Sequence, residues 1–437
     1  MTIYDLVREA GVVGAGGAGF PAHVKAGAKV EIAIANGAEC EPLIHKDFEL
    51  MVHFPERVVH GVKLLMESTG AHSGILGVKE KNHRAVDALS HAIDDDRIRL
   101  HLLGDFYPSG DEYILVYEAT KRLIPAQGIP LDVGIVVSNV ETLYNISLAS
   151  EGKPVTGKFI TVSGAVVDPK SFIAPIGLTY REAIEFAGGP AVKDYGVFVS
   201  GIMMGKLEFD LDLPVTKTCA GLIVLPLDHT LIQRKGQPEP VMHKIGKSAC
   251  DQCSYCTELC PRYILGYDVQ PHKVMRSLSF TSTGADVWNQ SAVLCCGCGL
   301  CTLYACPESL FPKEACDKGK RDLKEQGIKW TGGREVEPHP MYEYRRTSLK
   351  QLVDRLGIAE YDGLTPFVEN QLRPQRVRIP LVQNVGASSI PVVRIGQRVQ
   401  HGELIGEIPE GQLGSRIHAS ISGIVREING SVTIERE

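Results

Sequence analysis

Short apolar runs alternate with amphipathic stretches through the first third of the chain. The apolar runs are nearly continuous, which is typical of parallel strands buried on both faces. They lie at residues 31–35, 74–78, 98–103 and 133–137. The amphipathic stretches predict helices at residues 47–69, 83–93, 111–122 and 139–150. The alternation predicts a Rossmann-like α/β domain over residues 1–152, in which ligands bind beyond the carboxyl ends of parallel strands.

After residue 152 the pattern becomes that of a small mixed domain. A helix is predicted at residues 180–187, and Gly188 follows it as a stop signal. Strands are predicted at residues 158–164, 196–200 and 221–226. These elements predict an α+β domain over residues 153–235.

The last part of the chain offers short alternating strands that are separated by glycine turns. This pattern predicts an all-β domain over residues 375–437. Its two halves resemble those of a biotinyl- or lipoyl-type barrel-sandwich. The lysine that such carriers modify is absent, so we do not expect a swinging-arm role.

Composition narrows the class of protein. The 437 residues are 44% hydrophobic and 22% charged, with a net charge of −6. These values are those of a globular protein without a nucleic-acid surface. No apolar run approaches the roughly 18 residues of a membrane helix, and the first residues lack the apolar core of a secretory signal. We expect a soluble cytoplasmic protein.

Two cysteine runs, each followed by a proline, form the strongest chemical pattern. A [4Fe–4S] cluster takes three thiolates from a C-x2-C-x2-C loop and a fourth, before proline, from a more remote point. The first run is Cys250, Cys253, Cys256 and Cys260, and the second is Cys295, Cys298, Cys301 and Cys306.

In two-cluster ferredoxins the fourth cysteine of each run serves the other cluster. Cys260 would then complete the second site and Cys306 the first. The alternative is structural zinc, but zinc gains nothing from a third cysteine at this spacing. The runs therefore predict a helical, ferredoxin-like domain with two [4Fe–4S] clusters over residues 236–350. The other four cysteines, Cys40, Cys219, Cys296 and Cys316, are not assigned as ligands.

A glycine-rich loop near the start of the chain is the second chemical pattern. Glycines allow the backbone to approach a phosphate or a ring closely. A flexible turn is the alternative, because this loop precedes the first strand whereas a dinucleotide fingerprint follows one. The loop contains Gly14, Gly16, Gly17, Gly19 and Phe20.

Polar residues that follow the predicted strands support a ligand at this loop. Lys25 can neutralise a phosphate, and Asn36 and Glu39 can bind the polar edge of a ring. Gly110 and Asp111 open the third predicted helix. Asn139 and Thr142 offer hydrogen bonds at the start of the fourth helix.

The loop and its companions resemble a known flavin site. The pattern G-x-G-G-A-G-F-P-x3-K, followed by N-x2-E-x-E-P and N-V-E-T, resembles the FMN site of the NADH-oxidising subunit of respiratory complex I. It resembles the C subunit of Rnf ferredoxin:NAD oxidoreductases more closely. The flavin domain stands first and the barrel last, and CPRYILG, VTKT and HASISGIV are present. In these respects the whole chain resembles the cobalamin reductases of propanediol-utilisation microcompartments.

The resemblance implies cofactors and domains. FMN would be held by the loop glycines, Lys25 and the polar residues after the strands, and NADH would stack on Phe20 near Glu41. Phe20 could equally be a core residue. This chain has Ala38 where the complex I subunit has Asp, and Ala15 where that subunit has Arg. The resemblance alone therefore does not imply affinity for NADH. Residues 153–235 would be a soluble-ligand-binding β-grasp (SLBB), and the tail would be a barrel-sandwich hybrid.

The resemblance also implies an activity. The protein would be an NADH-dependent flavoprotein oxidoreductase that passes electrons through FMN and two clusters to a corrinoid, its cobalamin substrate. A corrinoid or an adenosyltransferase would be its partner, with association to a microcompartment shell, and a homo-oligomer is compatible with the sequence. One alternative is the NADH module of a membrane Rnf-type complex. The other is a non-enzymatic relay that passes electrons between a partner enzyme and an electron carrier.

Overall fold

The structure is a computed structural model that describes residues 1–277, 290–332, 335–369 and 372–437. Parts of the predicted cluster domain, at residues 278–289 and 333–334, lie outside the described residues. The described chain has the predicted fold class: a parallel-sheet α/β domain, a β-grasp domain, a helical domain and a barrel-sandwich.

The first domain is built on a four-stranded parallel sheet. Its strand order is β3-β2-β1-β5, so the strand order reverses beside β1, where α/β sheets bind ligands. The strands of this domain are β1 (Ile32–Gly37), β2 (Ser73–Lys79), β3 (Ile98–Leu103), β4 (Phe106–Tyr107) and β5 (Ile135–Asn139). The helices are α1 (Ile3–Glu9), α2 (Ala22–Ala26), α3 (Lys46–His53), α4 (Pro55–Thr69), α5 (His83–Ala92), α6 (Glu112–Thr120) and α7 (Val140–Ser150).

The prediction of one helix over residues 47–69 is wrong. The chain forms α3 and α4 and breaks between them at Phe54, whose φ and ψ are −135° and 42°. Pro55 causes the break, because its ring disfavours helical geometry at the preceding residue and it has no N–H to donate. The apolar face continues across the break: Leu50 and Val58 are both fully buried.

The second domain is a five-stranded mixed sheet crossed by one helix. The strand order is β7-β6-β10-β8-β9, with β6 and β10 parallel and the other pairs antiparallel. Two of its strands, β7 and β9, were not predicted. The elements are β6 (Gly157–Gly164), β7 (Lys170–Pro175), α8 (Tyr180–Phe186), β8 (Tyr195–Val199), β9 (Lys206–Glu208) and β10 (Gly221–Pro226).

Short helices carry the two cysteine runs. The chain then returns to the first domain, where Thr347 of a short strand pairs with Tyr107 of β4. The elements of this region are α9 (Thr230–Lys235), α10 (Glu239–Ala249), α11 (Tyr255–Glu258), α12 (Pro261–Ile264), α13 (Pro271–Ser277), a π-helical turn (Cys301–Ala305), α14 (Pro312–Glu325), β11 (Thr347–Ser348) and α15 (Leu349–Leu356).

The tail forms two small antiparallel sheets that enclose a common core. Buried residues such as Ile379 and Ile405 belong to the same hydrophobic cluster as Leu50 of the first domain. The barrel-sandwich is therefore packed against the rest of the protein and is not a free arm. Its strands are β12 (Arg376–Pro380), β13 (Ile390–Pro391), β14 (Arg398–Val399), β15 (Leu404–Glu407), β16 (Ile417–His418), β17 (Gly423–Ile428) and β18 (Ser431–Glu435).

Candidate functional site

The glycine loop is a closed turn with an open tip. The Gly14 N–H donates to the Phe20 carbonyl at 2.8 Å, and the Gly19 N–H donates to the Gly14 carbonyl at 3.2 Å. Residues 16–18 at the tip are exposed. Gly17 has φ +106°, which favours glycine, and a Cβ there would meet no atom within 4 Å. The tip thus presents backbone to open space, which suits a phosphate or a ring.

The loop rests on the start of α7. Thr142 Oγ1 accepts a hydrogen bond from the Ala15 N–H at 2.9 Å. A Cβ at Gly16 would lie 3.4 Å from the Cβ of Asn139. Asn139 caps α7 by accepting from the Glu141 N–H at 2.9 Å. The predicted residues Gly16, Asn139 and Thr142 are therefore brought together.

Lys25 and Asn36 lie at the same edge of the sheet. Lys25 Nζ donates to the carbonyl of Val137 in β5 at 2.7 Å and lies 3.4 Å from Glu112 Oε1. Asn36, at the end of β1, donates from Nδ2 to the Gly110 carbonyl at 2.9 Å. Val137 is two residues from Asn139, which contacts the loop. The Lys25 ammonium group and the Asn36 amide therefore stand beside the loop. This set fits a flavin and its phosphate.

Two other predicted residues contact protein groups. Glu39 caps α3: its carboxylate accepts from the Asp47 and Phe48 N–H groups at 2.7 and 2.8 Å. Burial and the nearby Asp47 carboxylate raise the pKa of Glu39 to about 8. Asp111 forms an ion pair with Arg262 at 2.8 Å, beyond the first cysteine run. The contacts described for Glu39 and Asp111 are thus with protein groups.

Glu41 points into the β-grasp domain. Its carboxylate accepts a hydrogen bond from the Met203 N–H at 2.6 Å, and the N–H groups of Ile202 and Met204 also hydrogen-bond to it. Burial nevertheless raises the pKa of Glu41 to about 7. A Cβ at Gly201 would lie 2.3 Å from the Glu41 Cδ, so this carboxyl fills the space over a glycine.

A buried ion network beneath the loop was missed by the sequence reasoning. Glu141 Oε2 accepts from Lys46 Nζ at 2.9 Å and from Lys158 Nζ, and Lys158 also donates to the Ala15 carbonyl at 3.2 Å. All three side chains are 2% exposed. Glu141 was visible as the acidic residue of N-V-E-T, but its lysine partners carry no local signal. The network joins the loop to the first strand of the β-grasp domain.

Four cysteines from both runs surround one cavity. The cysteines that line this opening are Cys250, Cys253, Cys256 and Cys306. Burial raises the pKa of Cys256 to about 12, and the neighbouring Cys306, Cys250 and Cys253 add to the increase. The fourth thiol comes from the second run, which is the exchange expected of a two-cluster ferredoxin. Four converging thiols are the donor set that a [4Fe–4S] cubane takes.

The remaining predicted ligands form a second group that is more deeply buried. Burial raises the pKa of Cys301, and the neighbouring Cys295 and Cys260 raise it further. The pKa of Cys298 is raised by a hydrogen bond with Cys296, by burial, and by the neighbours Cys260 and Cys301. Cys260, Cys295, Cys298 and Cys301 therefore lie together. Within the described residues, no three His, Cys, Asp or Glu side chains form a group that could hold a single metal ion.

Two unassigned cysteines also lie in the second group. Cys296 interacts with Cys298, and a hydrogen bond from Cys316 lowers the pKa of Cys295 to about 6. Cys296 follows Cys295 in the second run but does not keep the x2 spacing to Cys298. Cys316 lies outside both runs, and only the fold brings it to this group. As for membrane association, no described helix has both the length and the apolar character needed to cross a bilayer.

The sequence matches four families in the order of the domains. Residues 7–148 match the Nuo51 FMN-binding domain, and residues 159–206 match the SLBB domain. Residues 249–311 match a 4Fe-4S dicluster domain, and residues 365–437 match the RnfC barrel sandwich hybrid domain. The described fold and these matches agree on a flavin-binding and an iron–sulfur-binding domain.

Curated relatives cover the whole chain. It is 42% identical to the cobalamin reductase PduS of Salmonella typhimurium, over 99% of this chain and 96% of that protein. It is 41% identical to the PduS of Citrobacter freundii, over 100% and 96% of the two chains. A more distant relative is the C subunit of the proton-translocating ferredoxin:NAD(+) oxidoreductase complex of Clostridium ljungdahlii, which is 34% identical over 59% of this chain and 55% of its own length. The predicted resemblance is confirmed, and the chain belongs to the family of the PduS cobalamin reductases.

Proposed function

We propose that this protein is a reductase that takes electrons from NADH and passes them through FMN and two [4Fe–4S] clusters to a corrinoid. The family supports this proposal, since two relatives that match at full length are named cobalamin reductases. The observation that carries it is a direct structural connection between the candidate flavin site and one group of cysteines.

The connection runs through five consecutive residues. Gly110 accepts a hydrogen bond from Asn36 at the flavin site. Tyr107, three residues earlier, donates to the carbonyl of Cys298 at 2.6 Å, and Asp111 binds Arg262 at 2.8 Å. These contacts support the inference that the group formed by Cys260, Cys295, Cys298 and Cys301 is the one beside the flavin site.

The other group lies nearer the surface. Its cavity is lined by Cys253, which is exposed, whereas Cys298 and Cys301 are buried. We infer that electrons enter through the buried group and leave through the group of Cys250, Cys253, Cys256 and Cys306. When bound, the flavin exchanges an electron pair with nicotinamide and single electrons with iron–sulfur clusters.

The residues of the chain would hold and orient the flavin. We assign its phosphate to the exposed tip of the glycine loop and to Lys25, and its ring to the edge formed by Asn36, Gly110 and Asn139. Thr142 would act indirectly by fixing Ala15, and Glu39 would act indirectly by fixing the start of α3. Phe20 is half-buried at the base of the loop, where it could stack on nicotinamide.

Glu41 and Asp111 are assigned to domain contacts in this proposal, since both carboxylates already have protein partners. The likeness to PduS also supports a place within a cytoplasmic bacterial microcompartment. It supports a corrinoid or a corrinoid-adenosylating enzyme as the partner. The proposal also includes association of the protein with the microcompartment shell and formation of a homo-oligomer.

The test is an anaerobic assay of the purified protein. NADH should bleach bound FMN, give cluster EPR signals and reduce hydroxocobalamin without membranes. Bleaching of FMN with no electron reaching a cluster or cobalamin would overturn the proposal. Activity that requires added membranes would point to an Rnf-type module, and absence of hydride transfer from NADH would point to a relay.

A further inference from the structure

The far end of the glycine loop is enclosed by two other domains. The Val385 N–H, in the barrel-sandwich, donates to the Gly19 carbonyl at 2.9 Å. A Cβ at Gly19 would lie 2.8 Å from Thr218 Cγ2 of the β-grasp domain and 3.4 Å from the Asn384 Cα. Gly19 also has φ +65°. Only glycine fits between these surfaces, so the loop is held there by close backbone contact.

Lys217 is the point where the three domains meet. Its side chain is buried, at 2% exposed. Its Nζ donates to the carbonyls of Gly11 and Arg416, both at 2.7 Å, and to Ser415 Oγ at 3.2 Å. Its backbone N–H donates to Gln383 Oε1 at 2.9 Å. One lysine thus binds the chain that leads into the loop and two segments of the barrel-sandwich.

Contacts around Gly11 support the same junction. A Cβ at Gly11 would lie 2.2 Å from the Arg416 carbonyl and 2.9 Å from Lys217 Nζ. Ser415 Oγ donates to the Gly11 carbonyl at 3.0 Å, and Arg416 forms an ion pair with Glu9 at the end of α1. The loop is therefore fixed before Gly14 and at Gly19, while its tip at residues 16–18 stays exposed.

We propose that Lys217 and the barrel-sandwich residues 383–385 position the glycine loop for cofactor binding. The barrel-sandwich domain is then a working part of the flavin site. The inference rests on the proposed function, in which the loop holds FMN. A glycine-rich loop has a large conformational entropy when free, and binding a ligand must restrict it. Contacts that restrict both ends in advance raise the affinity for the ligand, because less conformational entropy is lost on binding.

The test compares two substitutions that weaken the same domain interface. Lys217→Met removes the side-chain hydrogen bonds to Gly11, Ser415 and Arg416. Ser420→Ala is the matched control: Ser420 Oγ donates to the Ile176 carbonyl at 2.5 Å, so it joins the barrel-sandwich to the β-grasp domain away from the loop. FMN dissociation constants, dithionite-reduced EPR spectra and thermal midpoints are measured on the full chain.

We expect Lys217→Met to raise the FMN dissociation constant at least tenfold, with cluster EPR signals unchanged. Turnover with NADH should return to the wild-type level at saturating FMN, because Lys217 positions the loop and takes no part in electron transfer. Ser420→Ala should keep the wild-type FMN affinity. The inference is overturned if Lys217→Met binds FMN like the wild type, or if both variants lose affinity in proportion to their thermal midpoints.

A second variant covers the case in which Lys217→Met does not fold. Val385→Pro removes the N–H that binds the Gly19 carbonyl, and the Val385 side chain is 49% exposed, so little packing is lost. A tenfold weaker FMN affinity supports the inference, and an unchanged affinity overturns it. If the wild-type protein itself binds no FMN, the proposed function fails, which separates the two outcomes.

Discussion

The hydroxyl of Tyr107 donates a hydrogen bond to the backbone carbonyl of Cys298 at 2.6 Å, in a buried contact between the flavin domain and the second cysteine run. The ion pair of Asp111 and Arg262 lies beside it, with side chains that are 10% and 11% exposed. The Arg262 guanidinium also stacks over the ring of Tyr113, 3.5 Å from its centroid. The two domains are thus joined by specific polar contacts where electrons are proposed to cross.

Tyr107→Phe should slow electron transfer between these domains. The change leaves the Cys298 carbonyl without its buried donor, at a cost of about 1–3 kcal/mol. We expect FMN content and bleaching by NADH to be retained, while the later reduction of the clusters slows. Stopped-flow absorbance separates the two phases. Tyr344→Phe, at a residue that is 79% exposed, is the control. An unchanged cluster phase in Tyr107→Phe would contradict the prediction.

In the proposed arrangement the fourth cysteine of each run binds the cluster of the other run. This arrangement predicts which cysteine substitutions lose the same cluster. Cys253→Ala and Cys306→Ala should lose the same EPR signal, because both residues line the same opening. Cys260→Ala and Cys298→Ala should lose the other signal. Iron analysis should show half of the wild-type content in all four variants, with most of the flavin retained.

The control for the cysteine series is Cys219→Ala. Cys219 is buried in the β-grasp domain, away from both groups, so its loss should leave both EPR signals intact. If the Cys253 and Cys260 variants lose the same signal, each run binds its own cluster and the exchange is wrong.

Local pattern was enough to predict the strands of the parallel sheet. The run at residues 98–103 became β3 with the predicted bounds, and the run at residues 74–78 became β2 with one more residue at each end. The burial pattern of β2 explains its clear signal, because six of its seven residues are buried and a strand buried on both faces has a nearly continuous apolar run. The break at Phe54 was also readable, since Pro55 follows it, but helical periodicity across residues 47–69 concealed it.

Contacts between domains could not be predicted in this way. Asp111 is predicted to bind the cofactor because it opens a helix after a glycine. The contact of its carboxylate with Arg262, which is 151 residues away, has no signal in the sequence. The sequence gives no partner for Lys46 or Lys158, and only the fold shows that both bind Glu141. A charged side chain that is buried by another domain leaves no periodic trace in its own segment.

Glu41 should make the stability of the protein depend on pH. Its pKa is raised from 4.5 to about 7 in the folded protein, chiefly by burial. Between these pH values the folded state holds a proton that the unfolded state has released, so this contribution to stability falls as the pH rises. The loss reaches about 3 kcal/mol above pH 7, from the size of the pKa shift.

Glu41→Gln removes this dependence, because an amide stays neutral. The thermal midpoint of the variant minus that of the wild type should therefore increase between pH 5 and pH 8. Any constant offset reflects the altered hydrogen bonds to the N–H groups of residues 202–204. Glu343→Gln, at an exposed position, is the control for the substitution itself. A flat difference for Glu41→Gln as well would show that its carboxyl does not hold a proton in the folded protein.

Lys25→Ala should weaken FMN binding if the flavin phosphate lies at the glycine loop. Lys25 Nζ is held at the end of the sheet by the Val137 carbonyl at 2.7 Å, and its side chain is 28% exposed, so it is both fixed and accessible. Loss of a charged hydrogen bond costs about 1.5–3 kcal/mol, which is roughly a 10- to 150-fold higher dissociation constant. Lys29→Ala, four residues on and exposed, is the matched control and should bind FMN like the wild type. Fluorescence titration of the flavin-depleted protein measures both values, and wild-type affinity in Lys25→Ala would place the phosphate elsewhere.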